Sequence, residues 1–345
     1  MSLLDQYRAL REAAAVVDRS GRGRLVVSGT DRRSYLQGLL SNDILALSAG
    51  AGCYAAYLTA QGRMIADMRV FELGDALLVD LDVRLAQSIA DRWSQFIFSE
   101  DVRVENVTAH TRQIGVYGPR AAEVLVSAIG GAGTGHEAGI DPERVRSLPI
   151  YSNMRVSRDG DSATLVAGDD IGVAGFDVVW PTPDIEVFAS ALRRAGAVDA
   201  SDEAADICRI EGGRPLFLTD MDTDTIPLEA GIEDRAISLT KGCYVGQEII
   251  IRVLHRGHGR VARKLVGITC EPGAGVPAPH AAVRSGSKDI GEITSAVDSP
   301  ALGRPVALGY VHRDFLAPGT AVEVSGVAAT VAALPFVPIT PLVQG

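Results

Sequence analysis

The sequence predicts an α+β protein in which two ferredoxin-like units precede a small all-β unit, a barrel or a sandwich. Three observations support this prediction. Within about the first 200 residues, the order strand, helix, strands, helix occurs twice, which is typical of a split β-α-β unit. From residue 264 onward, short apolar runs are separated by Pro and Gly without helical periodicity. The chain of 345 residues is long enough for two or three domains.

The spacing of apolar residues predicts the elements of the first unit. A helix is predicted at 2–18, where Leu4, Tyr7 and Leu10 share one stripe, and either Thr30 or Asp31 is suited to cap the second helix. The other elements are predicted as a strand at 25–28, a helix at 31–40, strands at 54–59, 64–72 and 76–80, a helix at 84–98 and a strand at 102–107.

The second unit repeats this order. A strand at 113–117 precedes a helix that Pro119 opens, and a glycine-rich surface loop is predicted at 130–139. Further elements are predicted as strands at 146–157, 163–167 and 176–180 and a helix that begins at 183.

Four segments follow from this order of elements. We expect a first α+β domain at 1–108 and a second at 109–200. Residues 201–260 are expected to return to the first domain, and residues 261–345 to form the C-terminal β unit.

Composition and charge restrict the classes of function. The 33 basic and 43 acidic residues give a net charge of −10, so any anionic partner must meet a local basic patch. No apolar run approaches the roughly 20 residues of a membrane-spanning helix, and the N-terminus lacks the features of a targeting peptide. The four cysteines form no C-x-x-C pair, so neither a zinc site nor a disulfide framework is expected. We therefore expect a cytoplasmic protein without a membrane partner.

The run Lys-Gly-Cys-Tyr-Val-Gly-Gln-Glu at residues 241–248 is the most informative for chemistry. A helical stripe follows from Ile249, so Cys243 is expected at or just before a helix N-terminus. The dipole of that helix and the nearby Lys241 favour a thiolate. We therefore predict Cys243 and Lys241 as catalytic residues. The alternative is that Cys243 is a small buried apolar residue.

Residues 241–248 resemble the signature of the YgfZ family, and other segments resemble the glycine-cleavage T-protein. The T-protein-like segments are residues 29–43, 58–67, 209–213 and 226–231. The resemblance implies a three-domain ring of two α+β domains and a C-terminal β-barrel. It also implies a central channel that holds tetrahydrofolate or another reduced folate.

The resemblance implies roles for individual residues. Asp67 corresponds to a carboxylate near the reactive nitrogens of the folate, where it could take a proton or stabilise an iminium. Tyr54 corresponds to a tyrosine near the ligand. Arg209 corresponds to an arginine that reaches the folate, and Gln247 of the signature is expected among the folate-binding residues. The alternatives are a solvent-facing Asp67, a Tyr54 that only packs in its strand, and an ordinary ion pair of Arg209.

Three hypotheses for function stay open. The first is a folate-binding YgfZ-type protein that supports the assembly or repair of iron–sulfur clusters and thereby tRNA modification. Its partners would be iron–sulfur proteins or assembly factors. Direct tRNA binding is not favoured, because no aromatic residues interleave with the basic residues at 252–264. The second is a tetrahydrofolate-dependent aminomethyltransferase or demethylase of the T-protein type, in which Asp67 is the key carboxylate. The third is an adaptor that binds no folate.

Overall fold

The structure is a computed structural model that describes residues 1–130, 141–158, 161–181, 185–256 and 259–342. Its helices are α1 (Leu3–Glu12), α2 (Arg32–Leu39), α3 (Val83–Ser94), α4 (Ala121–Gly130), α5 (Pro142–Arg146), α6 (Ile185–Arg194), α7 (Asp202–Glu211), α8 (Pro227–Ala230), α9 (Glu233–Ala236) and α10 (Gln247–Ile251). Its strands are β1 (Ala15–Asp18), β2 (Arg22–Ser28), β3 (Gly52–Leu58), β4 (Met64–Glu72), β5 (Leu77–Asp82), β6 (Arg103–Asn106), β7 (Thr111–Tyr117), β8 (Asn153–Arg158), β9 (Asp161–Gly168), β10 (Gly175–Pro181), β11 (Val198–Ala200), β12 (Arg263–Cys270), β13 (Ala282–Ser285), β14 (Lys288–Ser299), β15 (Arg304–His312), β16 (Ala321–Val324) and β17 (Val327–Ala332).

The strands form a five-stranded sheet, a six-stranded sheet and a closed six-stranded barrel. Helices pack on both sheets, so the predicted fold class of two α+β units and a C-terminal β-barrel is confirmed. The glycine-rich loop was predicted at 130–139, and all of it after Gly130 lies outside the described residues. In the described segments, no helix combines the length and the apolar character needed to cross a membrane.

The first sheet has the order β3-β4-β5-β2-β6, with antiparallel pairing throughout. Strands β2, β4, β5 and β6 with α2 and α3 form the ferredoxin-like arrangement, and β3 adds an edge strand. The two helices bury Leu36 and Trp93 against sheet residues such as Leu25 and Val79. The face of β3 and β4 that is opposite α2 and α3 is therefore available to pack against another segment of the chain.

The second sheet has the order β11-β1-β7-β10-β9-β8. Strand β1 comes from the N-terminus and lies between β7 and β11, antiparallel to the first and parallel to the second. The predicted helix at 2–18 is therefore wrong beyond residue 12. The β-branched Val16 and Val17 are buried on opposite faces of this central strand, a position that suits a strand better than a helix end. The domain boundaries at 108, 200 and 260 stay a prediction.

Two apolar clusters bring the segments of the chain together. Phe71 and Leu78 of the first sheet pack against Val166 and Val179 of the second. A larger cluster packs the outer face of β3 and β4 against residues from the segment after α7; its members from that segment include Phe217, Met221, Leu228, Ile232, Tyr244 and Ile250. The segment after α7 therefore covers the face of the first sheet that α2 and α3 leave free.

A buried ionic network also joins the two sheets. Arg69 on β4 donates to Asp80 on β5 at 2.8 Å and to Asp177 on β10 at 2.6 Å. Gln113 on β7 donates to both carboxylates. Burial raises the pKa of Asp80, but Arg22 and Arg69 outweigh it, so this pKa lies below its ordinary value. Asp80 therefore stays ionised, and the two buried aspartates share the guanidinium of Arg69 as a compensating cation.

We predict that Arg69→Met lowers the free energy of unfolding by about 3–5 kcal/mol, because two buried carboxylates then lose a shared cation. Urea denaturation followed by circular dichroism measures the change. Arg84→Met is the matched control, since Arg84 is largely exposed where it pairs with the buried Asp82, and the loss of an exposed partner costs about 0–1 kcal/mol. Equal losses in the two variants would contradict a special role for Arg69.

Candidate functional site

A cavity of about 500 Å³ lies where the two sheets and the segment 202–235 meet. Its volume is in the range of small-molecule sites. Three of the residues predicted from the sequence, Tyr54, Asp67 and Arg209, line it. The other charged side chains of its wall are Asp18, Arg19, Arg22, Arg69, Asp82, Asp170, Asp202, Glu203, Asp206, Arg214 and Arg235. The cavity is therefore strongly polar and carries both signs of charge.

Tyr54 and Asp67 form a hydrogen-bonded pair on β3 and β4. The Tyr54 hydroxyl donates to Oδ2 of Asp67 at 2.7 Å, and both side chains are at least nine-tenths buried. Burial raises the pKa of Asp67, against the opposing effects of Arg22 and the Tyr54 hydrogen bond. Oδ1 of Asp67 has no hydrogen-bond partner among the described residues. The carboxyl group thus offers one oxygen to a ligand and holds its proton more readily than an ordinary aspartate.

Tyr151 of the second unit completes an aromatic pair at the cavity. Its ring lies 6.2 Å from that of Tyr54, centroid to centroid, with an angle of 15° between the planes. Its backbone has a φ of 67°, a left-handed conformation that is costly for a bulky residue. A Cβ atom at Gly52 would lie 2.4 Å from the Tyr151 carbonyl oxygen, so glycine is needed there.

Arg235 contacts both tyrosines of this aromatic pair. Its Cζ atom is 5.1 Å from the centroid of the Tyr54 ring, a cation–π distance. Its Nη1 atom donates to the Tyr151 hydroxyl at 3.4 Å. Tyr54, Tyr151 and Arg235 therefore form one contiguous surface that includes the hydrogen-bonded Asp67.

Arg209 lines the cavity but binds mainly to the protein itself. Its Nε donates to Asp206 at 2.5 Å and its Nη1 to Asp220 at 2.6 Å. Nη1 also donates to the Arg214 carbonyl at 2.7 Å and Nη2 to Ser295 of the barrel at 3.1 Å. Arg209 therefore ties α7 to the loop that follows it and to the barrel. One Nη2 hydrogen is left for a ligand.

The ammonium group of Lys241 lies at the C-terminus of α2. Its Nζ donates to the carbonyls of Gln37 at 2.7 Å, Leu40 at 2.5 Å and Asn42 at 2.9 Å. Burial lowers the pKa of Lys241 to about 8, with Asp43 acting in the opposite direction. A cation at the carbonyl end of a helix is favourable, and the three acceptors favour its charged form. Lys241 thus closes the end of α2, and among the described residues no hydrogen bond or ion pair joins it to Cys243.

Cys243 is exposed and does not line the cavity. The helix after it, α10, begins at Gln247, so Cys243 lies four residues before the helix and not at its N-terminus. A π-helical turn, Arg252–Arg256, continues α10. The helical structure predicted from Ile249 onward is therefore present as far as residue 256. Gln247 is half-buried at the start of α10, also away from the cavity wall.

The predicted residues thus fall into two groups, one at the cavity and one in the segment 241–248. Asn42 connects them. Its carbonyl accepts from Lys241, and its Nδ2 donates to the carbonyls of Tyr54 at 2.8 Å and Arg235 at 3.0 Å. The segment therefore supports the cavity wall through Asn42, although its own side chains do not reach the cavity.

Several functional residues were missed by the sequence prediction, above all Tyr151 and Arg235. Tyr151 belongs to the second unit and Arg235 follows an acidic stretch, where an ordinary surface ion pair is the usual expectation. No local pattern marks either residue. Only the approach of the two units places them beside Tyr54.

Comparison with known proteins agrees with the fold. The family model of the GCVT N-terminal domain matches residues 2–241, and that of the glycine cleavage T-protein C-terminal barrel domain matches residues 263–338. An aminomethyltransferase of Cutibacterium acnes is 30% identical and covers 96% of this chain and 90% of its own length. An aminomethyltransferase of Moorella thermoacetica is 30% identical over 94% of this chain and 85% of its own length.

A solved structure shows the same fold. The crystal structure of the glycine cleavage system aminomethyltransferase T from Bartonella henselae superposes with a TM-score of 0.85 at 22% identity. The match covers 99% of this chain and 91% of that chain. Because the two family models together span both α+β units and the barrel, the chain belongs to the glycine cleavage T-protein family.

Proposed function

We propose that the protein binds a reduced folate in the cavity and transfers a one-carbon group in the manner of an aminomethyltransferase. One observation carries this proposal above all: a buried Asp67, held by Tyr54, presents a free carboxylate oxygen to a cavity of suitable size. The curated relatives named aminomethyltransferase support the same reaction class. The cytoplasm is the compartment that we propose for this activity.

Tetrahydrofolate is the cofactor that this proposal requires, and the residues present suit it. The aromatic rings of Tyr54 and Tyr151 offer apolar faces for a ring system, and the polar wall offers donors and acceptors. Folate brings the nitrogen nucleophiles that accept the one-carbon unit. Gln247 and Arg209 were predicted to bind folate as well, and of these two only Arg209 lines the cavity.

Asp67 has two tasks in the proposed reaction. With a folate bound in the cavity, the ionised carboxylate of Asp67 would accept, at its free Oδ1, the proton that a folate nitrogen gives up. The negative charge of Asp67 would also stabilise a cation that develops next to it. The Tyr54 hydroxyl stays protonated, because burial and the Asp67 charge raise its pKa, so it orients the carboxylate throughout.

We predict that Asp67→Asn retains tetrahydrofolate binding to within about fivefold and lowers the transfer rate by about 10²–10⁴-fold. The amide keeps the shape of the side chain and cannot accept the proton. Calorimetry measures binding, and the methylene-tetrahydrofolate formed from an aminomethyl donor measures transfer. For the wild type, the rate should rise with pH as Asp67 ionises, with a midpoint above that of an ordinary aspartate.

Asp298→Asn is the matched control, since Asp298 is an exposed carboxylate outside the cavity wall. Its rate and its pH profile should equal those of the wild type. A wild-type protein that gives no heat with millimolar tetrahydrofolate would overturn the proposed cofactor. An Asp67→Asn variant with full activity would overturn the proposed role of the carboxylate.

A second function, support of iron–sulfur proteins as in the YgfZ family, is favoured by one observation at Cys243. Among the four cysteines, only Cys243 is exposed. Burial raises the pKa of Cys53 and of Cys208 to about 12, and it raises the pKa of Cys270 as well. Cys243 is thus the thiol that a metal cluster or a partner protein can reach. In this second proposal, iron–sulfur proteins or assembly factors are the partners.

We predict that limiting iodoacetamide at neutral pH labels Cys243 at least about tenfold faster than the other three thiols, because only exposed thiolates react. Mass spectrometry of the native protein locates the label. Urea-unfolded protein, in which all four thiols are accessible, is the control for intrinsic reactivity. Labelling of Cys53 at the rate of Cys243 would contradict the role proposed for the exposed thiol.

The two functions predict opposite results in a deletion strain. If the protein supports iron–sulfur enzymes through its thiol, Cys243→Ala fails to restore their activities and Asp67→Asn restores them. Aconitase-type activities and tRNA methylthiolation provide the measurement. Loss of complementation with Asp67→Asn alone would instead favour the one-carbon transfer.

A further inference from the structure

We propose that Arg235 binds a carboxylate group of the ligand that occupies the cavity. The inference rests on the proposed function, since it assigns a part of the same ligand to a residue without a known role. It follows from the charges of the cavity wall, from the free donors of Arg235 and from the position of Arg235 relative to Asp67.

Among the residues that the structure describes, six arginines line the cavity, and five of them are compensated by the protein. Arg69 and Arg209 each bind two or more aspartates at 3.2 Å or less. The remaining compensated pairs are Arg19 with Asp170 and Asp177, Arg22 with Asp80, and Arg214 with Asp169. Arg235 is the exception: among the described residues, no carboxylate lies within ion-pair distance of its guanidinium. A partly buried cation of this kind favours an anionic partner.

The geometry leaves donors of Arg235 available. Nη1 donates to the Tyr151 hydroxyl at the long distance of 3.4 Å, while Nε and Nη2 have no hydrogen-bond partner among the described residues. A guanidinium can bind both oxygens of a carboxylate with two parallel N–H groups. Since Arg235 lines the cavity, these donors can meet a ligand there without any change in an existing ion pair.

The backbone of Arg235 is fixed, which a specific contact requires. Its amide donates to the Ile232 carbonyl at 3.1 Å, and its carbonyl accepts from Asn42 at 3.0 Å. The guanidinium in turn packs on the Tyr54 ring. Little freedom of the side chain is therefore lost when a ligand binds.

The position of Arg235 favours the glutamate tail of a folate as the source of the carboxylate. The phenol ring of Tyr54 separates the two polar groups, with Arg235 over its face and Asp67 at its hydroxyl. In a folate, an aminobenzoyl ring separates the reactive nitrogens from the glutamate carboxylates. A folate that reacts at Asp67 can therefore extend along the aromatic pair to Arg235. The other source of the same chemistry is the carboxylate of a small amino acid that donates the one-carbon unit.

The test compares tetrahydrofolate with tetrahydropteroate, which lacks the glutamate, in the wild type and in Arg235→Gln. We expect Arg235→Gln to weaken tetrahydrofolate about 10–100-fold in calorimetry, since hydrogen bonds between charged groups are lost. Binding of tetrahydropteroate should change less than about twofold. Arg235→Lys, which keeps the charge, should recover part of the affinity. Arg120→Gln, an exposed arginine outside the cavity, is the control and should bind both ligands as the wild type does.

Three other results would decide whether Arg235 binds a carboxylate and which ligand supplies it. Equal weakening of both folates, together with a loss of glycine or N-methylglycine binding in Arg235→Gln, would support the carboxylate site and assign it to a small amino acid. Unchanged binding of every ligand in a folded Arg235→Gln, as judged by circular dichroism, would overturn the proposal. If the wild type binds neither folate, the proposed function fails. Arg235 is then tested by 4-aminobenzoylglutamate alone, whose binding Arg235→Gln must abolish.

Discussion

The contact on which the site depends most is the one that Arg69 makes between two sheets. One guanidinium on β4 binds Asp80 of its own sheet and Asp177 of the other, and all three side chains are almost completely buried. The cavity lies at this junction, and Arg69 itself forms part of its wall. If the two sheets separated, Tyr151 would leave Tyr54. The geometry around Asp67 is therefore a property of the junction between the units and not of either unit alone.

The charges of the cavity show what kind of ligand it can hold. Most arginines of the wall are paired with aspartates, so the cavity is not a general site for polyanions. Asp67 and Arg235 differ from the other charged groups of the wall. Asp67 presents a free oxygen at the Tyr54 hydroxyl, and Arg235 presents free donors over the face of the Tyr54 ring. A ligand that satisfies both must carry a proton-releasing group and an anionic group a fixed distance apart. This requirement is far more selective than size or net charge.

The architecture could be predicted from the sequence largely because hydrophobic periodicity is a local property. The order of strands and helices and the all-β character of the C-terminal unit follow from it. The N-terminal strand could not be predicted, because residues 15–18 continue an apolar helical stripe and only pairing with β7 and β11 makes them a strand. Tertiary contacts outweigh local propensity there.

The site was predictable only in part, for a related reason. Tyr54 lies opposite Arg69 and Asp67 opposite Ala56, so Tyr54 and Asp67 are diagonal neighbours on the two strands of one hairpin. The resemblance to the T-protein assigned both residues to the folate, and their hydrogen bond joins them in the structure. Lys241 and Cys243 are close in sequence, which suggested a shared task, but the ammonium of Lys241 is directed to the end of α2. Sequence proximity did not reveal which group each side chain meets. Arg235 and Tyr151 come from separate segments, and no spacing in the chain relates them.

The N-terminal strand has a consequence for how the chain matures on the ribosome. Residues 15–18 pair with residues near 115 and near 199, so β1 is made first and finds its second neighbour only about 180 residues later. At a synthesis rate of roughly 5–20 residues per second, this interval is on the order of ten to forty seconds. During it the first sheet, whose strands lie within residues 22–106, can close by itself. The apolar β1 is unpaired until β7 is made, about 100 residues later, and it keeps one unpaired edge until β11 is made. Such an edge is a template for association with other chains. The nascent chain therefore carries an edge that can associate with other chains until the second sheet is complete.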